Sequence, residues 1–230
     1  MRGLFLIAGL LAVVWGCGGE SLPSNPQGAA AATSGQPNPS APHAVDKGIK
    51  APFQMKPLGW SPDSELATQL GAAQLELVSS NYRLQPPAGW KFTRFSGNSL
   101  PMGGDSQSGV WHPGPRGDGI HTQATLQLTV LQPNQAILNS AEELCAANKD
   151  DLARHFKDFK GGALEQGSVN GLNFIRFSWN GRQANDKIQG AFYMAKDGNR
   201  FLVFTLMAPD PDAAEMMRLM ENAVLTTAKK

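Results

Sequence analysis

The sequence predicts an α+β fold, in which helices pack on the faces of an antiparallel β-sheet. The main observation is a block of three apolar runs at residues 172–207. Asp197 and Gly198 separate the second run from the third, and these residue types tolerate the backbone angles of a tight hairpin turn. Both faces of the third run are apolar, so that strand needs cover on both sides. Helical patterns after Ser140 and after Pro211 can supply the cover, and the order strands, helix, strands, helix is typical of the α+β class.

Residues 1–16 have the pattern of an export signal. A basic residue precedes an apolar run that is too short for a stable transmembrane helix. The sequence VWGC at 14–17 resembles the lipobox of bacterial lipoproteins, in which cleavage precedes the cysteine and the thiol is then diacylated. The resemblance implies a mature chain that begins at a lipidated Cys17 and is stably anchored by its acyl chains. The alternative is an ordinary secretory signal with an incidental cysteine.

The segment after the cysteine, residues 17–60, is predicted to be a disordered tether. It is rich in Pro, Ser, Ala and Gly, and such a segment cannot bury enough apolar surface to offset the entropy lost on ordering. A short helical lead-in is expected at 61–74, with Ser61 as its N-cap and Pro62 in its first turn. The globular domain is then expected to span residues 75–228.

The first half of the domain is predicted to contain strands and one long loop. Strands are expected at 75–84, 90–95 and 122–131. In the last of these, apolar and polar residues alternate, which indicates one solvated face and a position near the edge of the sheet. Residues 96–119 are rich in Gly, Pro and Ser, and they are interpreted as a long loop with a short strand around Trp111.

The second half is predicted to contain two helices. The sequence SAEE at 140–143 is a capping box, and residues at helical spacing continue from it to Phe159 before two glycines end the helix. A strand is expected at 163–169, leading into the central block. The last helix is expected to begin after the sequence DPD at 210–212, and its apolar stripe contains three methionines.

The opening NYRLQPPAGWKF at 81–92, together with the order of the elements, resembles the PsbP-like fold. This fold is an α/β/α sandwich that is also found in the Ran-binding protein Mog and in bacterial DcrB-type lipoproteins. The resemblance covers residues 75–228 and implies a non-enzymatic domain that binds or assists a larger assembly. No metal-binding or partner-binding residue of that family can be matched in this sequence.

The charge of the chain is balanced, with 20 basic and 19 acidic residues. This balance gives no excess positive charge to attract nucleic acid, so nucleic acid is not expected as a partner. We expect a protein in the bacterial cell envelope that faces the periplasm or the cell exterior and is held to the membrane through Cys17. A protein partner is expected near the 96–119 loop, around Trp111, because loops on a rigid scaffold commonly carry function.

Candidate catalytic or ligand-binding residues are few, and neither a catalytic residue nor a cofactor is predicted. His112, His121 and Asp118 are of types that bind metals, and they suggest a metal-dependent protein or enzyme as one alternative. The simpler interpretation is a pair of exposed loop histidines. Cys145 lies on the apolar face of a predicted helix, where a thiol behaves as a small hydrophobic group. A second alternative is a carrier of small ligands, with the aromatic face of the sheet lining a pocket.

Overall fold

The structure, a computed structural model, describes residues 59–73, 81–99, 104–114, 123–134 and 140–230, except for the side chains at 96–99. Outside these residues lie the predicted export signal, Cys17, almost all of the tether, residues 75–80 of the strand predicted at 75–84, Asp118 and His121. No helix in the described part of the chain is both long enough and apolar enough to cross a membrane.

Helices and strands follow one another in the predicted order. The elements are a 3-10 helix at Ser64–Gln69, β1 at Tyr82–Arg83, β2 at Lys91–Ser99, β3 at Gly104–His112, β4 at Thr125–Pro133, α1 at Ala141–His155, β5 at Lys157–Gly161, β6 at Glu165–Val169, β7 at Leu172–Gln183, β8 at Asp186–Asp197, β9 at Arg200–Pro209, α2 at Ala213–Leu225 and β10 at Ala228–Lys229.

The main sheet contains eight strands in the order β2-β3-β4-β9-β8-β7-β5, and β6 also pairs with β7. All of its pairings are antiparallel. The short strands β1 and β10 form a separate two-stranded sheet. The predicted α+β class is therefore confirmed.

One helix covers each face of the main sheet, as the two apolar faces of the central block require. Helix α2 packs on β8 and β9, and Met217 and Met220 from the helix join Phe204 from the sheet in one core cluster. Helix α1 packs on β5, β7 and β8, and its Leu152 joins Trp179 in a second cluster. We call the two sides of the sheet the α2 face and the α1 face.

The central block forms the hairpins that its sequence predicts. Strands β7, β8 and β9 are consecutive neighbours, and β8 and β9 are joined at Asp197 and Arg200. Gly198 lies in this turn with a φ of 60°, a left-handed conformation that glycine adopts without a steric penalty. Since these three strands lie between the two helices, most of their aromatic side chains are core.

The prediction of a long loop at 96–119 is wrong for residues 96–99 and 104–112, which lie in strands. Residues 91–99 and 104–112 form the paired strands β2 and β3, each nine residues long. The end of β2 contains Gly97 and Asn98, and β3 contains two glycines and Asp105; these residue types have low β-propensity, so local composition favours a loop. Pairing of β3 with β4 supplies the cross-strand contacts that local composition does not show.

Strand β4 confirms the predicted run but not its predicted place near an edge, because it lies between β3 and β9. Gln127 and Thr129, which were expected to face solvent, are buried. The Gln127 amide donates to the Thr129 hydroxyl at 3.2 Å, and that hydroxyl also lies 2.9 Å from the hydroxyl of Ser108. Polar side chains that satisfy one another in this way can be buried at little cost.

Helix α1 begins as predicted. The Glu143 amide donates to the Ser140 hydroxyl at 3.1 Å, and the Ser140 amide donates to the Glu143 carboxylate at 2.9 Å. Both halves of the predicted capping box are therefore present.

The same helix ends earlier than predicted, at His155 rather than near Phe159. Phe156 already has extended backbone angles, φ −106° and ψ 128°. Asp158 has a φ of 53°, and the register of β5 against β7 shifts at this point. Because this bulge interrupts the alternation of the strand, Phe156 and Phe159 both reach Trp179, with ring centroids at 4.5 and 5.8 Å. The spacing of apolar residues that predicted a longer helix therefore arises from a bulged strand after the helix ends.

The lead-in helix is shorter than predicted and is capped by a different residue. It is a 3-10 helix at Ser64–Gln69, and the Asp63 carboxylate, not the Ser61 hydroxyl, accepts a hydrogen bond from the Glu65 amide at 2.9 Å. Sequence reasoning chose the serine before a proline, although an aspartate two residues later is an equally good N-cap type.

Candidate functional site

The histidines and the aspartate proposed as metal ligands are not brought together by the described part of the structure. His112 lies at the end of β3, half-buried, and its Nδ1 accepts a hydrogen bond from the Gly114 amide at 3.2 Å. Among the described residues, no group of three or more His, Cys, Asp or Glu side chains could hold a metal ion. A site that uses His121 and Asp118 stays a prediction, because both residues lie outside that part.

Trp111, around which a partner surface was predicted, is a core residue. It lies on the α2 face of β3, only 2% exposed, and its ring centroid is 4.8 Å from that of Phe92. The indole is therefore not available to a partner, and this prediction is corrected. The sequence suggested exposure because it placed Trp111 in a loop, whereas strand pairing turns the side chain toward the core.

Cys145 is fully buried under α1, as its place on the apolar face of that helix predicts. Burial raises the pKa of its thiol to about 12, with Glu142 adding to the rise and Lys149 opposing it. The thiolate is the nucleophilic form of cysteine, so a thiol held protonated in this way is chemically inert at neutral pH.

A charged cluster, which sequence reasoning missed, lies buried on the α2 face. Glu221 of α2 is 0% exposed and accepts a hydrogen bond from the Tyr193 hydroxyl at 2.9 Å. Arg176 of β7 donates to the same hydroxyl at 3.4 Å and to Glu165 at 2.9 Å. Burial, followed by the charge of Glu221, raises the pKa of Tyr193 well above its ordinary value. The cluster cross-links the helix to the sheet, and the alternation of Arg176 with apolar neighbours was its only trace in the sequence.

The lead-in segment is fixed on top of this cluster. The indole of Trp60 stacks on the Arg176 guanidinium at 4.0 Å, and it lies so close to Gly167 that a Cβ there would be 1.9 Å from the ring. The Asp63 amide donates to the Asn222 side chain of α2 at 2.7 Å. Residues 59 and 60 therefore lie at a defined place, beside β6.

Strand β2 is the longest edge strand of the main sheet in the described structure. Among the described residues β2 pairs only with β3, so alternate amide and carbonyl groups point outward along its other side. Lys91, Thr93 and Arg94 are exposed, while Phe92 and Phe95 are half-buried. The register against β3 is regular from residue 91 to 95 and shifts after that.

The opposite edge of the sheet differs from β2 because two short strands share it. Strands β5 and β6, five residues each, pair with successive parts of β7, and β5 is bulged. Bulges and short strands are the usual means by which proteins protect an edge. The edge strand β2 is longer, at nine residues, although its register against β3 also shifts between Phe95 and Asn98, and it carries two cations and no acidic residue between 91 and 99.

We take the outer side of β2, with Lys91, Thr93 and Arg94, as the candidate functional site. Neither Lys91 nor Arg94 forms an ion pair within the described part of the chain. Their side chains point to opposite faces of the strand, since the two residues are three positions apart and side chains alternate along a strand. Sequence reasoning expected a partner surface around Trp111 and did not single out these cations, although the alternation in KFTRF predicted the strand itself.

The sequence matches no protein-family model and none of the curated proteins compared with it. Several solved structures are similar in fold. The solution structure of CyanoP, the PsbP of the cyanobacterium Synechocystis sp. PCC 6803, aligns at a TM-score of 0.46 and 11% identity over 80% of this chain and 99% of its own. LpqN of Mycobacterium tuberculosis, a protein involved in cell envelope biogenesis, aligns at 0.41 and 12% over 64% of this chain and 82% of its own. PA94 of Pseudomonas aeruginosa aligns at 0.36 and 11% over 68% and 96%. At such identities the α+β class rests on the strand order and helices of the chain itself.

Proposed function

We propose that this chain is a lipid-anchored, non-enzymatic binding module of the bacterial cell envelope, which holds a protein partner by strand addition to β2. The observation that carries the proposal is the open, cationic edge of β2. An extended segment that pairs with such an edge gains main-chain hydrogen bonds, and its side chains gain specificity from the strand's own side chains.

The charges on β2 favour a heterologous partner over a second copy of the chain. Lys and Arg on an edge strand discourage pairing with an identical strand, because the like charges would lie side by side. The same two cations complement an extended segment that carries Asp or Glu. We therefore infer an acidic, extended segment as the element that the partner contributes.

The titratable groups with shifted pKa values support a binding role rather than a catalytic one. Burial raises the pKa of Cys145, Tyr82 and Tyr193, so all three hold their protons at neutral pH. Hydrogen bonds from Lys229 and then Tyr82 lower the pKa of Asp197, which keeps this carboxylate charged and weakly basic. Nucleophiles and general bases need pKa values that are moved toward neutrality, and these four are moved away from it.

The lipid anchor is supported by the VWGC sequence at 14–17 and by the Pro-, Ser- and Ala-rich segment that follows it. Because Trp60 packs on Arg176, the lead-in is attached to one defined face of the domain, and the tether would connect to the domain there. A Cys17→Ser chain should move from the detergent phase to the aqueous phase on phase separation of cell extracts. Unchanged partitioning would refute the anchor but would leave the proposed β2 site standing.

The β2 site is tested by charge reversal on the full-length chain at its native expression level. Lys91→Glu combined with Arg94→Glu should remove the stoichiometric partner that co-purifies from solubilised membranes and is identified by mass spectrometry. Arg83→Glu combined with Lys230→Glu changes the charge equally at exposed positions away from β2, and it should retain the partner. Recovery of the same partner with the β2 variant would overturn the proposal.

A further inference from the structure

The residues that hold the lead-in form a groove on the α2 face, between β6 and α2. At one end of the groove lies Arg176, whose guanidinium carbon is 4.0 Å from the centroid of the Trp60 ring and whose Nη1 atom donates to the Gly59 carbonyl at 3.4 Å. The same indole meets Tyr193 edge to face, with ring centroids 6.4 Å apart. Its other neighbour is Gly167 of β6, where a side chain would overlap the indole. This end of the groove therefore has the shape of an indole.

The other end of the groove binds Asp63 through two residues of α2. Asn222 accepts a hydrogen bond from the Asp63 amide at 2.7 Å and donates one to the Asp63 carbonyl at 3.3 Å. Arg218 forms an ion pair with the Asp63 carboxylate at 3.1 Å. A segment with a tryptophan and, three residues later, an aspartate thus satisfies both ends. We call the surface formed by these side chains the indole groove, and it comprises Gly167, Arg176, Tyr193, Arg218 and Asn222.

The indole groove is held in shape by contacts that do not involve the lead-in. Arg176 donates to Glu165 at 2.9 Å, and the Tyr193 hydroxyl donates to Glu221 at 2.9 Å. Gly167 lies inside a strand, where a glycine weakens the strand and commonly marks the close approach of another group. The groove is therefore preformed, and it can receive a segment from outside the domain as well as its own.

The lead-in can leave the groove without opening the core. Its 3-10 helix at Ser64–Gln69 contains no buried residue, and Trp60 is itself only half-buried. Beyond the helix, the Gly71 amide donates to the Pro86 carbonyl at 2.7 Å, so the lead-in is also attached at its far end. Residues 59–68 between these two attachments can move as a unit.

We propose that a second copy of this chain also fills the indole groove, so that two copies exchange their lead-ins and form a dimer. Every copy carries both the groove and the segment that fits it. An exchanged lead-in makes the same contacts as the resident one, and this equality makes domain swapping a low-cost route to dimers.

The resident lead-in sets the affinity that exchange requires. A short connection gives it an effective concentration of about 1 mM at its own groove. For the resident lead-in to be docked about ten to one, the same contacts between two copies must have a Kd of about 0.1 mM or lower. Copies confined to one membrane by the proposed anchor would exchange more readily than copies in dilute solution.

The test mixes two complementary variants of the mature chain, both with Cys17→Ser, in sedimentation equilibrium. Trp60→Ala vacates the groove and removes the indole from its own lead-in. Gly167→Val blocks the groove but leaves its lead-in free to bind elsewhere, and valine suits a strand. We expect each variant alone to be monomeric up to about 0.5 mM, and the equimolar mixture to form a 1:1 heterodimer with a Kd of about 0.1 mM or lower.

Three further variants make the result specific. Gly167→Val combined with Trp60→Ala is the matched control, and it should not associate with Trp60→Ala because neither chain then supplies an indole. Arg218→Ala in the accepting chain should weaken the heterodimer by about twofold to fivefold, since the ion pair with Asp63 is partly exposed. Gly167→Ala in place of Gly167→Val should give the same heterodimer to a smaller extent, which guards against misfolding of the valine variant.

A mixture of Trp60→Ala and Gly167→Val that stays monomeric at about 0.5 mM of each would overturn the proposal. Association that persists when the donor lacks Trp60 would overturn it as well, because the copies would then meet through another surface. All of these chains keep the wild-type β2 strand and lack the anchor, so this proposal and the proposed function can fail separately.

Discussion

At the scale of single residues, the structure uses its unusual side chains to hold elements together. The Tyr193 hydroxyl links Arg176 of the sheet to Glu221 of α2, and the Tyr82 hydroxyl links β1 to Asp197 in the β8–β9 turn. In both pairs a phenol donates to a carboxylate. The two differ in exposure, because Glu221 is fully buried whereas the Asp197 side chain is 28% exposed. This difference allows the contribution of burial to be measured.

Tyr193→Phe removes one hydrogen-bond donor, the Tyr193 hydroxyl, from the fully buried Glu221 carboxylate and should destabilise the domain by about 1–3 kcal/mol. Tyr82→Phe is the matched control, because its carboxylate partner keeps the hydrogen bond from Lys229 at 2.7 Å and retains contact with water. The loss for Tyr82→Phe should be about 1 kcal/mol or less. Urea unfolding of the two variants checks the order, and an equal or larger loss for Tyr82→Phe would contradict the role given to Glu221.

The ionisation of Asp197 should make the free energy of unfolding depend on pH. Hydrogen bonds from Lys229, then from Tyr82, lower its folded-state pKa below the ordinary value of 3.8. A carboxyl whose pKa is lower in the folded state stabilises the fold above its unfolded-state pKa, and this contribution is lost as the pH falls through the folded-state pKa. Asp197→Asn should therefore cost about 1 kcal/mol at pH 7 and progressively less below about pH 4.

Urea unfolding of the wild type and of Asp197→Asn across this range measures that difference. Lys229→Ala serves as the second variant, because it removes the largest cause of the pKa shift while leaving the carboxyl in place. Its effect should also shrink in acid. A loss that stays constant from pH 7 to pH 3 would show that the charge of Asp197 contributes nothing to the fold.

At the scale of elements, prediction from sequence succeeded where the signal is local. The capping box at Ser140 and the glycine turn at Gly198 depend on residues within a few positions of one another, and both are present. It failed where distant pairing decides the structure. Strand β3 is held by β4 despite a Gly- and Ser-rich sequence, and β5 continues an apolar spacing that resembles a helix only because Asp158 introduces a bulge.

The lead-in is an element whose attachment the sequence did not reveal. In Gly167→Ala the new Cβ would lie 1.9 Å from the Trp60 ring, so the indole must leave its position. Overpacking of this kind costs about 1–3 kcal/mol, which corresponds to an increase of roughly tenfold or more in local opening. Chymotrypsin should therefore cleave at Trp60 faster in Gly167→Ala than in the wild type.

The control for this variant is Gly71→Ala, in the same lead-in. A Cβ at Gly71 would find its nearest neighbour at 3.5 Å, an ordinary contact, so cleavage should proceed at the wild-type rate. Equal cleavage rates for Gly167→Ala and the wild type would show that Trp60 does not fasten the segment.

At the scale of the whole molecule, the fold class could be predicted, but the position of the candidate site could not. Apolar runs and the apolar stripes of the helices indicate which faces are buried. This information is sufficient to predict an antiparallel sheet between two helices. Which strand lies at the edge depends on pairings such as β4 with β9, whose partners are 70 to 82 residues apart in the chain. For this reason the alternation in β4 suggested an edge strand, and the true edge at β2 was taken to be partly loop.

The edge of the sheet at β2 combines outward-pointing backbone groups with two exposed cations, which suits an extended acidic segment; among the described residues β2 pairs only with β3. The aromatic side chains of β7, β8 and β9 are buried in the two core clusters beneath the helices. The aromatic face that was considered as the lining of a ligand pocket is therefore core.

The central claim is that a partner strand lies along β2 in the cell, and site-specific photo-cross-linking tests it most directly. A photo-reactive amino acid at Thr93, which is exposed on β2, should yield one discrete adduct with an acidic segment of a single protein. The same amino acid at Ser168, which is exposed on β6 at the other edge, should not give this adduct. Lys91→Glu combined with Arg94→Glu should abolish the Thr93 adduct. No adduct at Thr93, or the same adduct at both positions, would contradict the account.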